Sequence, residues 1–279
     1  MAYSAEISRN NPSCFVFLID QSGSMADAFG TGEGNQKKAD ALADVINRLL
    51  QNLVIKCAKE EGVRDYFHVG VIGYGAQVGA AFTGPLSGQQ LVPISQLGNS
   101  PARIEKRTKK IPDGAGGLVD QEVRFPVWFD PIANGGTPMC QALGVAKSVV
   151  EGWVDRHGEC FPPIVINLTD GESTDGDPSG IAGEIKKVRS SDGEVLLFNI
   201  HLSSQKAAPV EYPNSEAGLP DQFAQQLFRM SSQMPEYMLA IAKREGMNVD
   251  EGSRGFVFNA DLTAVIKFLD IGTRPNALR

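Results

Sequence analysis

Short apolar runs alternate along the chain with longer segments in which apolar residues recur every three or four positions. Such runs are typical of strands buried on both faces, and five occur, at residues 14–19, 66–74, 162–168, 194–202 and 255–259. The periodic segments predict helices, at residues 36–61, 139–158, 178–190, 221–246 and 261–269. Pro235 predicts a break in the fourth helix, and Asp261 is expected to cap the fifth. This alternation predicts an α/β fold with a mainly parallel sheet.

The remaining segments outline a single domain. Residues 84–131 are irregular and rich in glycine and proline, and a loop of this length in a compact domain is usually functional or partly disordered. We interpret it as a hairpin insertion beside the sheet. Residues 26–34 are a second, flexible insertion before the first helix. We therefore expect one domain over residues 13–272, with a polar arm at 1–13 and a polar tail at 273–279.

The first apolar run ends abruptly in a polar turn. Asp20 follows the run directly, and Ser22 and Ser24 come next, on either side of a glycine. Ligands of open parallel sheets bind at the carboxyl ends of the strands. A carboxylate and two hydroxyls held in a tight turn suit a hard cation such as Mg²⁺. Any one of these residues alone has a simpler interpretation as a helix N-cap.

Two later turns have a similar composition. Thr137 and Pro138 end the turn NGGTP before a helix, where Thr137 is a natural N-cap and Pro138 fits the first helical position. Asp170 follows the strand at 162–168 in the turn TDGE. If that strand lies beside the first one, Asp20 and Asp170 face the same crevice, at the topological switch point of the sheet.

Two carboxylates in one crevice repel each other unless a positive charge lies between them. A divalent cation would satisfy this requirement with an all-oxygen set of ligands suited to octahedral Mg²⁺. The candidate metal ligands are Asp20, Ser22, Ser24, Thr137 and Asp170.

The three turns together resemble the metal-ion-dependent adhesion site of von Willebrand factor type A (vWA) domains, of the bacterial intracellular type. That site consists of D-x-S-x-S after the first strand, a downstream threonine and a later aspartate in a T-D-G turn. The resemblance implies a doubly wound, mostly parallel six-stranded sheet with helices on both faces. It also implies that Mg²⁺, or alternatively Mn²⁺ or Ca²⁺, accepts an Asp or Glu side chain from a partner protein.

Bacterial vWA proteins of this kind are often components of multi-protein systems. Their partners are AAA+ ATPases, or Ser/Thr kinases and PP2C-type phosphatases in stress or defence loci. We therefore expect a protein partner, and the residues around the turns expected to contact it are Gln21, Met25, Gly136 and Glu172. A basic segment at 103–111 is either a solvated face or a docking surface for an acidic partner, and its candidate contacts are Arg103, Lys106 and Arg107.

Composition narrows the classes of partner. The net charge of −7 and the pI of about 5.1 argue against a general nucleic-acid binder. No apolar run approaches the length of a membrane span, and the first residues lack the apolar region of a signal peptide. The four cysteines form no CxxC pair and are expected to be reduced. We expect a cytoplasmic protein without nucleic-acid or membrane partners.

An enzyme is the alternative function. Mg²⁺ and a strand-end aspartate suit phosphoryl transfer through an aspartyl phosphate. That chemistry needs a basic residue to hold the phosphate, and none of the three turns contains Lys or Arg. Ser22 lacks the first glycine of a G-x-S-x-G hydrolase turn. A binding module, not an enzyme, is therefore the prediction.

Overall fold

The computed structural model describes residues 3–28, 36–112, 117–202, 209–260 and 262–272. Its strands within these ranges are β1 (Ser13–Asp20), β2 (Ala58–Lys59), β3 (Gly62–Val63), β4 (Phe67–Tyr74), β5 (Val78–Ala80), β6 (Val92–Pro93), β7 (Arg103–Pro112), β8 (Leu118–Val127), β9 (Ile164–Thr169), β10 (Arg189–Ser190), β11 (Gly193–Glu194), β12 (Leu196–Leu202), β13 (Val210–Glu211) and β14 (Phe256–Ala260). Its helices are α1 (Lys38–Cys57), α2 (Ile94–Asn99), α3 (Met139–Val154), α4 (Ser179–Ile185), α5 (Gln222–Met230), α6 (Glu236–Arg244) and α7 (Leu262–Gly272).

The main sheet has the strand order β13-β14-β12-β9-β1-β4-β5, with β6 also paired to β4. The five strands from β14 to β4 are parallel, and β5, β6 and β13 add antiparallel edges. The predicted α/β class and mostly parallel sheet are confirmed. The expected count of six strands is wrong, because the sheet has eight within the described residues. The three edge strands are only two or three residues long, which is too short to show the alternation of apolar and polar residues that predicts a strand.

The β1 strand lies at the centre of the sheet and pairs in parallel with a strand on each side. Phe15 to Ile19 pair in register with Ile164 to Leu168 of β9, and Asp20 pairs with Tyr74 of β4. The chain leaves β1 for β4 on one side through α1 and reaches β9 on the other through α3. The strand order therefore reverses between β1 and β9, which confirms that these strands are neighbours at the switch point.

The side chains of β1 point alternately into two apolar cores. Phe15, Phe17 and Ile19 belong to the core that also contains residues of α1, α6 and α7. Val16 and Leu18 belong to the opposite core, with residues of α3, α4 and α5. Every residue of β1 is buried. A strand covered by helices on both faces explains why its sequence is a continuous apolar run rather than an alternating one.

Some predicted boundaries shift. The first helix ends at Cys57, not 61, because Gly62 has a φ of +118° and lies in the β2–β3 hairpin. The break at Pro235 is confirmed as the gap between α5 and α6, and the α5 N-terminus is capped by Asp221, whose Oδ1 accepts a 2.7 Å hydrogen bond from Ala224 N. Asp261, the expected cap of the last helix, lies outside the described residues.

The irregular segment at 84–131 contains the predicted hairpin, formed by β7 and β8 in a ten-pair antiparallel register. It also contains α2, which was not predicted. The division into arm, domain and tail stays a prediction: residues 1–2 and 273–279 lie outside the described ranges, as do 29–34 of the first insertion.

All four cysteines are free thiols, as expected. In the part of the chain that the structure describes, no helix combines the length and apolar character needed to cross a membrane.

A buried asparagine joins the first helix to the end of the hairpin. Asn47, in α1, accepts hydrogen bonds at Oδ1 from Trp128 N at 2.8 Å and Phe129 N at 3.1 Å. Its Nδ2 donates to Phe129 O at 2.8 Å and to Ala43 O at 2.9 Å. Asn47, Trp128 and Phe129 are each about 2% exposed. One side chain therefore satisfies several backbone groups that water cannot reach.

Replacing Asn47 by alanine is expected to lower the free energy of unfolding by about 2–4 kcal/mol, because buried N–H groups lose their acceptor. Chemical denaturation followed by circular dichroism measures the change. Arg48→Ala, at the exposed neighbouring position, is the control and should shift it by about 0.5 kcal/mol or less. Equal losses in the two variants would contradict the role assigned to Asn47.

Candidate metal centre

Four of the five candidate ligands form one connected group at the carboxyl edge of β1 and β9. Ser22 Oγ lies 3.0 Å from Ser24 Oγ, and Ser24 Oγ donates a 2.7 Å hydrogen bond to Asp170 Oδ1. Ser22 N donates to Asp20 Oδ1 at 2.8 Å. Residues 146 positions apart in the sequence are thus in direct contact because their strands are neighbours in the sheet.

Asp20 is a buried carboxyl group, with about 1% of the residue exposed. Its Oδ2 accepts a 2.7 Å hydrogen bond from Thr169 Oγ1, the residue at the end of β9. Burial raises the pKa of Asp20, the hydrogen bonds from Ser22 and Thr169 partly offset this, and the charge of Asp170 raises the pKa further. A cation at this position would favour the charged form of Asp20.

Asp170 already has a cationic partner, which the sequence analysis missed. Lys38 Nζ donates to Asp170 Oδ2 at 2.7 Å, and the two side chains are 3% and 0% exposed. We had expected only a divalent cation to relieve the repulsion between the two aspartates, whereas Lys38 supplies one positive charge. A signal was available, since α1 begins at Lys38 and the helix after the first strand of a parallel sheet starts above the carboxyl edge.

Thr137 lies beside the turn that contains Asp170. A Cβ atom built on Gly171 would lie 3.8 Å from Thr137 Oγ1. The Thr137 backbone pairs with Thr174, donating from N to Thr174 Oγ1 and accepting at O from Thr174 N, both at 2.9 Å. Among the residues that the structure describes, none forms a hydrogen bond with the Thr137 hydroxyl. This hydroxyl is therefore available to a ligand.

The prediction that Thr137 caps the following helix is wrong. The α3 helix begins at Met139, after Pro138, and no side chain at its N-cap position forms a capping hydrogen bond. Asp175 fills this role from the next loop, with carboxylate oxygens that accept from Cys140 N at 3.0 Å and Gln141 N at 2.9 Å. Burial alone would raise the pKa of Asp175, but these backbone hydrogen bonds lower it below its ordinary value.

The residues expected to face a partner have different environments. Gly136 and Glu172 are exposed, and Glu172 lines a cavity of about 480 Å³ together with Phe223. Gln21 is only 8% exposed and packs against Gly73, where a Cβ would lie 2.2 Å from Gln21 Oε1. Met25 is fully buried in the core, so its expected place on an exposed surface is wrong.

The basic residues of the hairpin are paired with acidic residues near them rather than with the three turns. Arg103 contacts Asp130 at 2.7 Å, and Lys106 contacts Glu122 at 3.1 Å. Arg107 contacts Asp44 of α1 at 2.9 Å and Glu105 at 2.7 Å. Because their charges are offset locally, these residues form a mixed-charge face, and docking of an acidic partner on it stays a prediction. The four acidic partners all lie outside the motif turns.

The donor set fits a hard divalent cation. It consists of two carboxylates and three hydroxyls, all oxygen, as Mg²⁺ prefers. In the described ranges no cluster of three or more His, Cys, Asp or Glu side chains is arranged to hold a metal. The candidate site therefore needs its hydroxyls in addition to its two carboxylates.

The fold and the site together define an α/β protein with an acidic, hydroxyl-rich site at the switch point of its sheet. No family model matches the chain, and no curated protein matches it in sequence.

Solved structures give distant likenesses. The vWF domain of the type V pili tip protein Mfa5 from Porphyromonas gingivalis has 16% identity and a TM-score of 0.31, over 58% of this chain and 39% of that one. The PilB minor pilin from Streptococcus sanguinis has 12% identity and a TM-score of 0.46, over 94% and 60%. The chain spans less than two thirds of the length of either protein.

The corrected capping assignment leads to a stability prediction. Asp175→Ala should lower the free energy of unfolding by about 0.5–2 kcal/mol, because two N–H groups of the first α3 turn lose their acceptor. Thr137→Val, which keeps the shape of this buried side chain, should leave it nearly unchanged without added metal, because the Thr137 hydroxyl caps nothing. Thermal melting in EDTA measures both variants, and a larger loss for Thr137→Val would restore the original assignment.

Proposed function

We propose that this protein is a metal-dependent binding module of the vWA type. Asp20, Ser22, Ser24, Thr137 and Asp170 hold a divalent cation, with Mg²⁺ as the first candidate and Mn²⁺ or Ca²⁺ as alternatives. An Asp or Glu side chain of a partner protein completes its coordination. The observation that supports this best is the contact of the first-strand turn with Asp170 at the switch point, where Ser24 Oγ lies 2.7 Å from Asp170 Oδ1.

The chemistry of the ligand set favours capture of an acid. Hydroxyls and waters are neutral ligands, so they leave more of the cation's charge uncompensated than carboxylates would. An incoming carboxylate is the hard, anionic oxygen ligand that such an ion attracts most strongly. The exposed Gly136 and Glu172 lie on the turns that surround this position and form the nearest part of the proposed partner surface.

The partner classes proposed from the resemblance are AAA+ ATPases and the kinase or phosphatase proteins of stress, signalling or defence systems. The cytoplasm is the proposed location of the protein. The net charge of −7 supports the exclusion of nucleic acid as a partner.

Phosphoryl transfer is the second candidate, because Lys38 supplies the basic residue that the turns lack. Its side chain is 3% exposed, however, and its ammonium is bound to Asp170. A phosphate-holding lysine must reach the substrate, so this burial favours a binding module. Incubation with Mg²⁺ and acetyl phosphate tests the alternative, and a phosphorylated Asp20 detected by mass spectrometry would favour an enzyme.

Metal binding is the first property to measure. Asp20→Asn should abolish Mn²⁺ binding in calorimetric titration, because it removes one of two carboxylates from the ligand set. Folding should be retained, since the carboxyl group is buried and its pKa is raised, which makes a neutral side chain acceptable there.

Asp177→Asn is the matched control. It removes the same charge from the loop after the TDGE turn, where Asp177 accepts from Ser179 N at 2.8 Å and is exposed. It should bind Mn²⁺ as the wild type does. Equal affinity in Asp20→Asn and wild type would disprove the proposed ligand set. A partner recovered by pull-down should be lost in EDTA, and retention there would disprove metal-mediated capture.

A further inference from the structure

The Lys38–Asp170 ion pair differs from the other ion pairs in the described residues by its burial. Its two side chains are 3% and 0% exposed, whereas each of the other pairs has at least one partner exposed by 31% or more. An ammonium group is costly to bury unless it is paired. This lysine is placed by the fold itself, because its backbone N–H donates to Asp27 O at 2.9 Å where α1 begins.

The two aspartates of the site are compensated in different ways. Asp170 receives the Ser24 hydroxyl at one oxygen and the Lys38 ammonium at the other, both at 2.7 Å. Asp20 receives neutral donors from Ser22 and Thr169. With both aspartates ionised, these three charged side chains leave one net negative charge. A divalent cation would reverse it to one net positive charge, and without Lys38 the same loaded site would be neutral.

We propose that Lys38 is the internal counter-ion of this site, which lowers its affinity for the metal and raises the affinity of the loaded site for an acidic ligand. This inference rests on the proposed function. In the metal-free protein the ammonium holds Asp170 in place beside Ser24, so the site is already assembled when the cation arrives. In the loaded protein the Lys38 ammonium repels the cation, but its charge strengthens the attraction of the loaded site for an incoming carboxylate.

Lys38 is thus a positioning residue and a determinant of ligand charge. It attracts a partner acid through the charge it adds, while its own hydrogen bond stays on Asp170. With a neutral residue of similar length in place of Lys38, the site would bind the metal more tightly and capture acids more weakly.

Mn²⁺ affinity, measured by calorimetry without any partner, is the first test. Lys38→Met should bind Mn²⁺ at least about tenfold more tightly, because a like charge next to the cation is removed. Lys37→Met is the matched control, since Lys37 is the preceding residue and is exposed, and it should bind as the wild type does. Equal or weaker binding by Lys38→Met overturns the proposal.

Acetate titrated into the Mn²⁺-loaded proteins tests the proposed role of Lys38 in acid capture. The readout is the electron paramagnetic resonance spectrum of Mn²⁺. The spectrum of the wild type should change at lower acetate concentrations than that of Lys38→Met. Equal or greater sensitivity of the variant, or no change in either protein, overturns the role in acid capture.

Thermal melting in EDTA provides a readout that needs no metal and applies even if Lys38→Met is poorly folded. Lys38→Met should melt at a lower temperature than the wild type, because it leaves the Asp170 carboxylate buried without a counter-ion. Lys38→Met/Asp170→Asn removes both charges and should recover much of the loss. A single variant as stable as the wild type, or a double variant no better than the single one, overturns the counter-ion role.

The outcomes separate this inference from the function on which it rests. Mn²⁺ binding by neither wild type nor Lys38→Met would disprove the metal-dependent module. Binding by Lys38→Met alone would confirm competition between ammonium and metal, and would disprove metal loading of the wild type. Equal binding by both proteins would leave the module in place and disprove the role of Lys38.

Discussion

The parallel pairing of β1 with β9 is the constraint on which the rest of the structure depends. Five consecutive residue pairs fix the two strands in register, so the residues that follow each strand meet at one edge. At that edge, Asp20 accepts hydrogen bonds from Ser22 and Thr169, and Asp170 accepts one from Ser24. The cost of placing two carboxyl groups in a buried crevice explains both the many hydrogen bonds around them and the lysine beside them.

Much of the fold was predictable from the sequence because its central strands are buried on both faces. Such strands are continuous apolar runs, and Asp20 is the last residue of β1 while Asp170 follows β9. The edge strands β5, β6 and β13 were not predictable as strands, since they have no more than three residues each and depend on a neighbour for pairing. The hairpin was predicted as an insertion within residues 84–131, but without the bounds of its two ten-residue strands.

The residues that the sequence analysis missed act across long separations. Lys38 reaches Asp170 over 132 positions, and Asn47 reaches Phe129 over 82. Asn47 has no local pattern that distinguishes it from an ordinary polar residue of a helix. The position of Lys38 at the start of α1 indicates that it lies near the site, but not which residue it contacts. The capping of α3 was assigned to the wrong residue for a related reason. Thr137 and Pro138 match the local signature of a helix start, whereas the acceptor that the helix uses belongs to a loop 34 to 35 positions later.

The α1 helix connects two distant parts of the structure. Lys38, the first residue of α1, donates a hydrogen bond to Asp170. Asn47, farther along the helix, donates one to the backbone oxygen of Phe129, where the hairpin ends. At 1.5 Å per residue, these two attachment points are about 13 Å apart along the helix axis. One helix therefore links the base of the hairpin to the carboxylate at the switch point through two buried polar contacts.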